Sequence, residues 1–402
     1  EPSVRAAAAG ALGQLGLPAP PDSLSALQDA FARQPSIEAA YQLGLVSLTD
    51  PFLYDQAQDR LITAWNQVDD QAADADQQRH EVLEMWWVLF APWLLRKKKY
   101  DVIFTYAPSP IFQAIPASFL GWLKQCPVAL WVQDLWPEAL DASGIVKSKL
   151  VLNIVRGLSD FLYKKSYKVL IQSEGFRGVM ESRGIEPEKI DYLPNWAESV
   201  YTAMPYNKSK KQAEGMEGFF NVLYAGNIGL FQDFDVILEA ARLLSFYEDI
   251  QLVILGDGAL LESSLQKVKY WKLNNVVFKG RKPVEEVPLY ISLADVLLVQ
   301  LKSNPFLSLT IPSKIQSYLA CGKPIIGAIE GYGAKVINEA QCGITCKPGD
   351  PEVLKEVILA MYKKSKEELE QMGANGRAYY LKHFERDIII DRFEKILEEK
   401  CN

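Results

Sequence analysis

The chain has 402 residues, of which 49% are hydrophobic, and a formal net charge of −7 at pH 7. This length and apolar content predict ordered globular structure with roughly two or three cores. The negative charge argues against a nucleic-acid-binding protein, because such a protein needs a basic surface.

Cysteine and histidine chemistry is limited as well. The five cysteines are scattered along the chain, and the two histidines are His80 and His383. Scattered cysteines in odd number are typical of reduced thiols in the cytosol. Cys342 and Cys346 have the spacing of half a zinc site, but the sequence has no second pair, so we interpret them as buried thiols and expect no metal site. Histidine triads are not expected either.

Residues 1–80 are rich in Ala, Gln, Leu and Asp and poor in runs of Val and Ile, which predicts an all-helical segment. Its first residues, "EPSVRAAAAGALGQLG", are similar to one unit of a HEAT-type helical repeat. Such a segment would offer a surface to a protein partner.

Residues 85–101, "MWWVLFAPWLLRKKKYD", combine aromatic and aliphatic bulk with a basic run. Pro92 interrupts the apolar part, which falls short of the about 20 residues of a transmembrane helix. The combination is typical of contact with an anionic membrane surface. The alternative is a core helix whose basic end complements the helix dipole.

Short apolar strands alternate with helical patterns from about residue 100, as in parallel sheets. A polar linker after Tyr201 separates two such series. We therefore predict an α/β chain with two Rossmann-like parallel-sheet domains facing a cleft. A partial N-terminal domain covers 81–205, a C-terminal domain covers 216–382, and a C-terminal helix covers 383–402.

The first domain has a polar cluster where a buried strand should end. Val128–Trp131 is typical of that strand, and Asp134, Trp136 and Glu138 follow it. Ligands bind at the carboxyl ends of parallel strands, so these side chains are candidates for a functional site. The alternatives are a helix N-terminal acid at Glu138 and a core position for Trp136.

The second domain has glycine-rich turns after its first two strands. The first contains Gly226, Asn227 and Gly229, and the second contains Gly256 and Gly258. Glycines let backbone amides approach a ligand, and a following helix offers partial positive charge to a phosphate. Such turns also occur simply as connections between a strand and a helix.

The stretch "TIPSKIQSYLACGKPIIG" is more specific. Ser313 is the expected N-cap of a helix, and Lys314 lies in its first turn. A lysine there opposes the helix dipole, which favours an anionic partner such as a pyrophosphate.

The motifs together carry a resemblance over about residues 95–400. They are "KYDVIFTYAPSP", "WVQDLWPE", "SEGF", "LPNWAE", "YAGNIG", "ILGDG", "PSKIQSYLACGKPIIG" and "GANGRAYYLKHF". In this order they resemble the family 4 retaining glycosyltransferases of the GT-B fold. The chain is similar to bacterial transferases of O-antigen and capsule synthesis, such as N-acetyl-fucosamine transferases.

The resemblance implies a hexosyltransferase-type enzyme that moves a sugar, with retention, from a nucleoside diphosphate sugar to a lipid-linked or polysaccharide acceptor. It implies that Asp134 and Glu138 orient the acceptor hydroxyl or the sugar ring. It places the donor beside Gly226, Asn227, Gly229, Gly256, Arg281, Lys282, Ser313, Lys314 and Ser317. No metal or other cofactor is expected, because side-chain cations and helix termini can stabilise the leaving diphosphate.

The resemblance also implies a cytoplasmic protein, or one peripheral to the inner face of the cell membrane through residues 85–101. Neither a nucleic acid nor a metal is an expected partner.

Two departures from the family pattern stand out. Many relatives carry two glutamates spaced E-x7-E, and here these places are Leu309 and Ser317. Residues 1–80 also lack the Gly-rich loop and strands with which relatives begin. The helical segment either replaces those strands or leaves the transferase inactive. The alternative function is therefore a non-catalytic nucleotide-sugar-binding domain fused to a helical-repeat interaction module. An epimerase of the same fold is a third reading, disfavoured by the scarcity of histidine.

Overall fold

The structure is a computed structural model and describes residues 100–144, 146 and 148–401. The helical segment predicted over 1–80, its HEAT-like beginning and nearly all of the 85–101 stretch lie outside the described residues. None of the described helices is long and apolar enough to cross a membrane.

The first sheet has four parallel strands in the order β1-β2-β3-β4. They are β1 (Ile103–Ala107), β2 (Val128–Val132), β3 (Lys168–Ile171) and β4 (Ile190–Tyr192). The helices between them are α1 (Ala114–Lys124), α2 (Glu138–Ser143), α3 (Lys149–Lys165) and α4 (Gly175–Ser182). Strands β2 and β3 are buried along their whole length, which explains why they are continuous apolar runs rather than alternating ones.

The second sheet has six parallel strands in the order β10-β9-β8-β5-β6-β7. They are β5 (Phe220–Ala225), β6 (Ile250–Leu255), β7 (Val276–Gly280), β8 (Val296–Gln300), β9 (Ile325–Ala328) and β10 (Gly343–Cys346). The strand order reverses between β5 and β8, because the chain builds outward from β5 in one direction and from β8 in the other. This reversal places a crevice at the carboxyl ends of β5 and β8.

Helices cover both faces of the second sheet. They are α5 (Lys208–Ala213), α6 (Phe234–Leu243), α7 (Leu261–Trp271), α8 (Val287–Leu293), α9 (Ser313–Cys321), α10 (Gly331–Glu339), α11 (Pro351–Tyr362) and α12 (Lys366–His383). Two separate apolar cores result, one on each face. Cys342 is fully buried in one of them, as predicted, whereas Cys346, for which burial was also predicted, is only half-buried.

The last helix, α13 (Arg386–Cys401), packs against the first sheet rather than the second. Its Ile389 and Ile396 contact Trp131, Leu170 and Leu193. Helices α1 and α3 instead contribute to the other core of that sheet, together with Leu130 and Ile171. The first sheet is thus covered by α1, α3 and α4 on one face and by α13 on the other. The predicted α/β architecture of two parallel-sheet domains is confirmed in the described residues.

Candidate functional site

The candidate site lies at the carboxyl ends of β5 and β8, where the strand order reverses. The turn after β5 begins at Gly226 and the turn after β6 begins at Gly256, and both glycines have positive φ, +137° and +146°. A Cβ added at Gly256 would lie 1.9 Å from the carbonyl oxygen of Gly226. Only glycine therefore allows the two turns to touch, and Gly256 has a packing role whatever it does with a ligand.

Gly258 repeats this arrangement. A Cβ there would lie 2.4 Å from Oδ1 of Asn227 and 2.6 Å from the carbonyl oxygen of Ile228. The amide of Ile228 donates to the carbonyl of Asp257 at 2.7 Å. The first turn is also held from below, because the Tyr224 hydroxyl donates to the carbonyl of Asn227 at 2.5 Å. The two glycine-rich turns therefore pack directly against each other and are joined by a hydrogen bond.

Not every amide of the first turn faces outward. The Gly229 amide donates to Oε1 of Gln232 at 3.1 Å, so in this structure a side chain of the same turn occupies it. Asn227 is exposed, whereas Gly229 is buried. Tyr224 and Gln232, which shape this turn, do not belong to the predicted site. Tyr224 is part of an apolar strand pattern, which conceals its polar contact.

Lys314 lies directly beside the first turn. A Cβ added at Gly226 would lie 2.9 Å from its Nζ, and Nζ is 3.6 Å from the centroid of the Tyr224 ring. Nζ is buried and has no hydrogen-bond partner among the described residues. Burial lowers the pKa of Lys314 to about 7, because the charged form is deprived of water. A cation held here without a counter-ion is suited to bind an anion.

Ser313 is not the N-cap of α9, so that prediction is wrong. Pro312 takes the cap position with extended backbone, φ −59° and ψ 131°, and Ser313 is the first helical residue. The fixed φ of proline is compatible with the cap conformation, and this moves the serine one place into the helix. The Ser313 side chain is exposed at the helix N-terminus, near Lys314 in the chain.

Ser317 lies one turn further along α9, and its hydroxyl donates to the carbonyl of Ser313 at 3.4 Å. Arg281 and Lys282 follow β7, which is separated from β5 by β6 and therefore lies about 10 Å away across the sheet. The Lys282 ammonium is 5.6 Å from the centroid of the Tyr290 ring. The structure brings Gly226, Lys314 and the turn glycines together, and places Arg281 and Lys282 at the side of the same sheet edge.

Asp134 follows β2, at the carboxyl edge of the first sheet. Its Oδ2 accepts a hydrogen bond from Oγ of Ser109 at 2.7 Å. Ser109 in turn accepts from Nε1 of Trp136 at 3.1 Å. Burial and the negative charge of Asp134 raise the pKa of Tyr106. Trp136 is buried in the core between the first sheet and helices α1 and α3, as the core alternative predicts. Its ring nitrogen helps to orient Ser109.

Glu138 has a different environment. It pairs with Arg183 at 3.2 Å, and Arg183 also pairs with Asp160 at 2.6 Å. The guanidinium lies 5.4 Å from the centroid of the Tyr163 ring. Glu138 is also the first residue of α2, where an acid complements the helix dipole. These contacts tie α2, α3 and α4 together. They match the structural alternative, and a catalytic role of Glu138 stays a prediction.

The loop before α9 contacts the first domain. Ser173 Oγ donates to the carbonyl of Leu309 at 2.5 Å, and a Cβ added at Gly175 would lie 2.4 Å from the same oxygen. The Leu309 side chain packs against the core of the first sheet. Leu309, where the resemblance implied a glutamate, thus contributes to packing between the two sheets. The contact of Ser173 and Gly175 with this loop is not evident in the sequence, because 136 residues separate its two sides.

Comparisons with known proteins agree with this arrangement. Residues 207–379 match the family described as Glycosyl transferases group 1. The chain is 25% identical over 312 residues to the probable glycosyltransferase WbjE of Pseudomonas aeruginosa, covering 74% of each chain. It is 24% identical over 260 residues to the putative teichuronic acid biosynthesis glycosyltransferase TuaH of Bacillus subtilis, covering 58% of this chain and 64% of that relative.

Among solved structures, the fold is similar to that of Anabaena Alr3699/HepE in complex with UDP and glucose. The TM-score is 0.64 at 14% identity, and the match covers 81% of this chain and 83% of that one. Residues 207–379 are therefore similar to group 1 glycosyl transferases, and the described residues have the GT-B fold.

Proposed function

We propose that this chain is a retaining hexosyltransferase that moves a sugar from a nucleoside diphosphate sugar to a lipid-linked or polysaccharide acceptor in cell-surface polysaccharide synthesis. The observation that carries the proposal is the buried ammonium of Lys314 beside Gly226, which has no hydrogen-bond partner among the described residues and lies within the segment that matches group 1 glycosyl transferases. The names of WbjE and TuaH support the reaction class and the pathway class.

The diphosphate of the donor would lie between the Gly226–Gly229 turn and the N-terminus of α9. Lys314 would supply a full positive charge there, and the helix terminus a partial one. Both strengthen their interaction with the diphosphate as negative charge grows on the leaving group, and burial makes that interaction stronger than in water. These residues can stabilise the leaving diphosphate by themselves, in line with a metal-independent transferase.

UDP is the first nucleotide to test, because the similar Anabaena structure holds UDP and glucose. Arg281 and Lys282 at the end of β7, and Ser317 on α9, are the further candidates for contacts with the donor. The acceptor would lie at the carboxyl edge of the first sheet, where Asp134, oriented by Ser109, would hold the acceptor hydroxyl or the sugar ring. An acceptor in the bilayer would make the protein peripheral on the inner face of the membrane.

The test is a thermal-shift titration of the full chain with UDP and GDP, since a ligand that binds only the folded state raises the melting temperature. We expect a shift selective for one nucleotide in the wild type and its loss in Lys314→Met, which keeps the side-chain length but removes the charge. The control is Lys267→Met, a change at an exposed lysine that pairs with Asp235 on the outside of the second sheet.

Two results would contradict parts of the proposal. An equal shift in the wild type and in Lys314→Met would remove Lys314 from the donor site. A nucleotide shift without sugar transfer to any lipid-linked or polysaccharide acceptor would favour the non-catalytic nucleotide-sugar-binding alternative.

A further inference from the structure

Helices α1 and α3 lie side by side on one face of the first sheet, and both turn apolar side chains toward solvent. On α1, Trp122 is 73% exposed and Phe119 is 59% exposed. On α3, Leu150 is 71% exposed and Ile154 is 63% exposed. The full set consists of Ile115, Phe119, Trp122, Leu123, Leu150, Val151, Ile154 and Phe161. We refer to this set as the α1–α3 face.

The spacing along each helix makes the face continuous. On α3, Leu150, Ile154 and Phe161 lie four and seven residues apart, so they project from the same side of the helix. The opposite side of α3 carries Val155, Leu162 and the buried Tyr163, which fill the core. The helix is therefore apolar on two sides, of which the sheet covers one.

A groove of about 960 Å³ runs between the two helices. Its apolar walls include Ile115, Phe119, Trp122, Leu158 and Phe161. Lys165 lies at its rim. A contiguous exposed patch of this kind on a soluble domain marks a surface that binds another molecule or a membrane.

The charged side chains of α3 are mostly positive, although the whole chain has a net charge of −7. Helix α3 carries Lys149, Arg156, Lys164 and Lys165. Its single acid, Asp160, is paired with Arg183 on the core side. An apolar patch that includes an exposed tryptophan, on helices that also carry lysine and arginine, matches the headgroup region of an anionic bilayer in both apolar character and charge.

We propose that the α1–α3 face docks on an anionic lipid bilayer. The proposal rests on the proposed function for its purpose, since a transferase whose acceptor is lipid-linked must work at the membrane surface. The face belongs entirely to the described residues and is distinct from the 85–101 stretch. The apolar side chains enter the headgroup region, while Lys164 and Lys165 contact lipid phosphates.

The test is co-sedimentation of the full chain with vesicles, one set containing phosphatidylglycerol and the other only phosphatidylcholine. We expect at least tenfold stronger partitioning of the wild type onto the anionic vesicles. Trp122→Ser combined with Ile154→Ser should lower that partitioning at least tenfold, and Lys164→Glu combined with Lys165→Glu should do the same. All four side chains lie on the surface, so these variants should fold. Phe246→Ser is the matched control, because Phe246 is 90% exposed on the second domain.

Unchanged partitioning in both double variants, or an equal loss in the Phe246→Ser control, would overturn the proposal. So would a wild type that sediments with neither vesicle. The face would instead be an interface between two copies if light scattering found a wild-type dimer that the Trp122→Ser change dissociates without altering vesicle binding.

The UDP thermal shift is measured on the same variants. If a variant loses vesicle binding but keeps the UDP shift, the loss is due to the α1–α3 face. If the wild type binds vesicles but shows no UDP shift, the result contradicts the proposed donor site and leaves the membrane proposal intact.

Discussion

The carboxyl edges of the two sheets differ in whether their charged side chains have polar partners. At the first sheet, Glu138 pairs with Arg183 and Asp134 accepts a hydrogen bond from Ser109. At the second sheet, the Lys314 ammonium is buried beside Gly226 without a partner among the described residues. A buried charge without compensation costs stability, so its presence points to a ligand, whereas a paired charge can be explained by packing alone.

The largest expected effect is that of Gly256→Ala, which tests whether the carboxyl edge of the second sheet needs this glycine for packing. Gly256→Ala should lower the free energy of unfolding by about 3 kcal/mol or more, since the new Cβ meets the Gly226 carbonyl and the backbone has positive φ. Urea denaturation measures the change. The matched control is Gly157→Ala on α3, where an added Cβ has nothing within 4 Å. It should raise stability by about 0.5–1 kcal/mol. Equal effects at the two glycines would contradict the packing role of Gly256.

The second prediction asks whether Asp134 acts in the reaction. Asp134→Asn should lower the rate of sugar transfer about 100-fold, because the amide holds the acceptor hydroxyl without a negative charge. Stability should change by no more than about 0.5 kcal/mol, since the Ser109 hydrogen bond is near solvent. Steady-state transfer assays and the UDP thermal shift measure the two parts. Ser109→Ala, which only releases Asp134, should give a smaller loss of rate. A wild-type rate in Asp134→Asn would place this acid outside the reaction.

The third prediction concerns pH at the second edge. The pKa of Lys314 is about 7 in the free protein, so the ammonium loses its proton as pH rises above 7. A bound diphosphate needs the charged form, and UDP affinity should therefore fall by up to about tenfold per pH unit from pH 7 to 9. Isothermal titration calorimetry at a series of pH values measures this, with Lys314→Met expected to give weak binding without that slope.

The same group has a consequence for stability. Its pKa in the folded chain is below that of an unfolded lysine, so the unfolded chain binds more protons between pH 7 and about 10. The free energy of unfolding should therefore rise with pH in that window, and Lys314→Met should remove this component. A pH dependence identical in wild type and variant would mean that the ammonium is hydrated in solution.

The smallest effect tests Glu138. Glu138→Gln should lower the free energy of unfolding by about 1 kcal/mol, because Arg183 keeps Asp160 but loses one of its two carboxylates. The rate of transfer by the folded variant should stay within about twofold of the wild type if the role is structural. Urea denaturation and transfer assays separate the two. A large loss of rate at normal stability would mean that Glu138 acts in the reaction. The charged residues of both sheet edges would then have a functional role.

Sequence and structure agree where local pattern decides the outcome. Gly226 and Gly256 follow apolar strands, and both lie where a positive φ and close backbone contact exclude a side chain. Ser313 shows where local pattern fails. The pattern predicts this serine as the N-cap, but Pro312 has the cap position and Ser313 is the first helical residue. The neighbours of Trp136 in the chain do not tell whether its side chain lies in a functional site or in the core. Its burial depends on residues from β3 and α4.

The outward stripe of α3 is a similar case. Helical periodicity identifies the apolar positions of this helix, but it does not tell which of two stripes faces the sheet. Leu150 and Ile154 are exposed because Val155 and Leu162 fill the core. The α1–α3 face therefore appears only when the helices are seen on their sheet.

The sequence by itself determined the alternation of strands and helices, the glycine turns and the first-turn lysine, because backbone conformation and burial of strands depend on neighbours in the chain. Tertiary structure alone decided which charges are compensated and which distant segments contact each other. Glu138 meets Arg183 across 45 residues, Ser173 meets Leu309 across 136, and Lys314 meets the turn after β5 without any counter-ion among the described residues. Electrostatic and packing energies depend on distance in space, and the distance in space between residues so far apart in the chain is set by the fold.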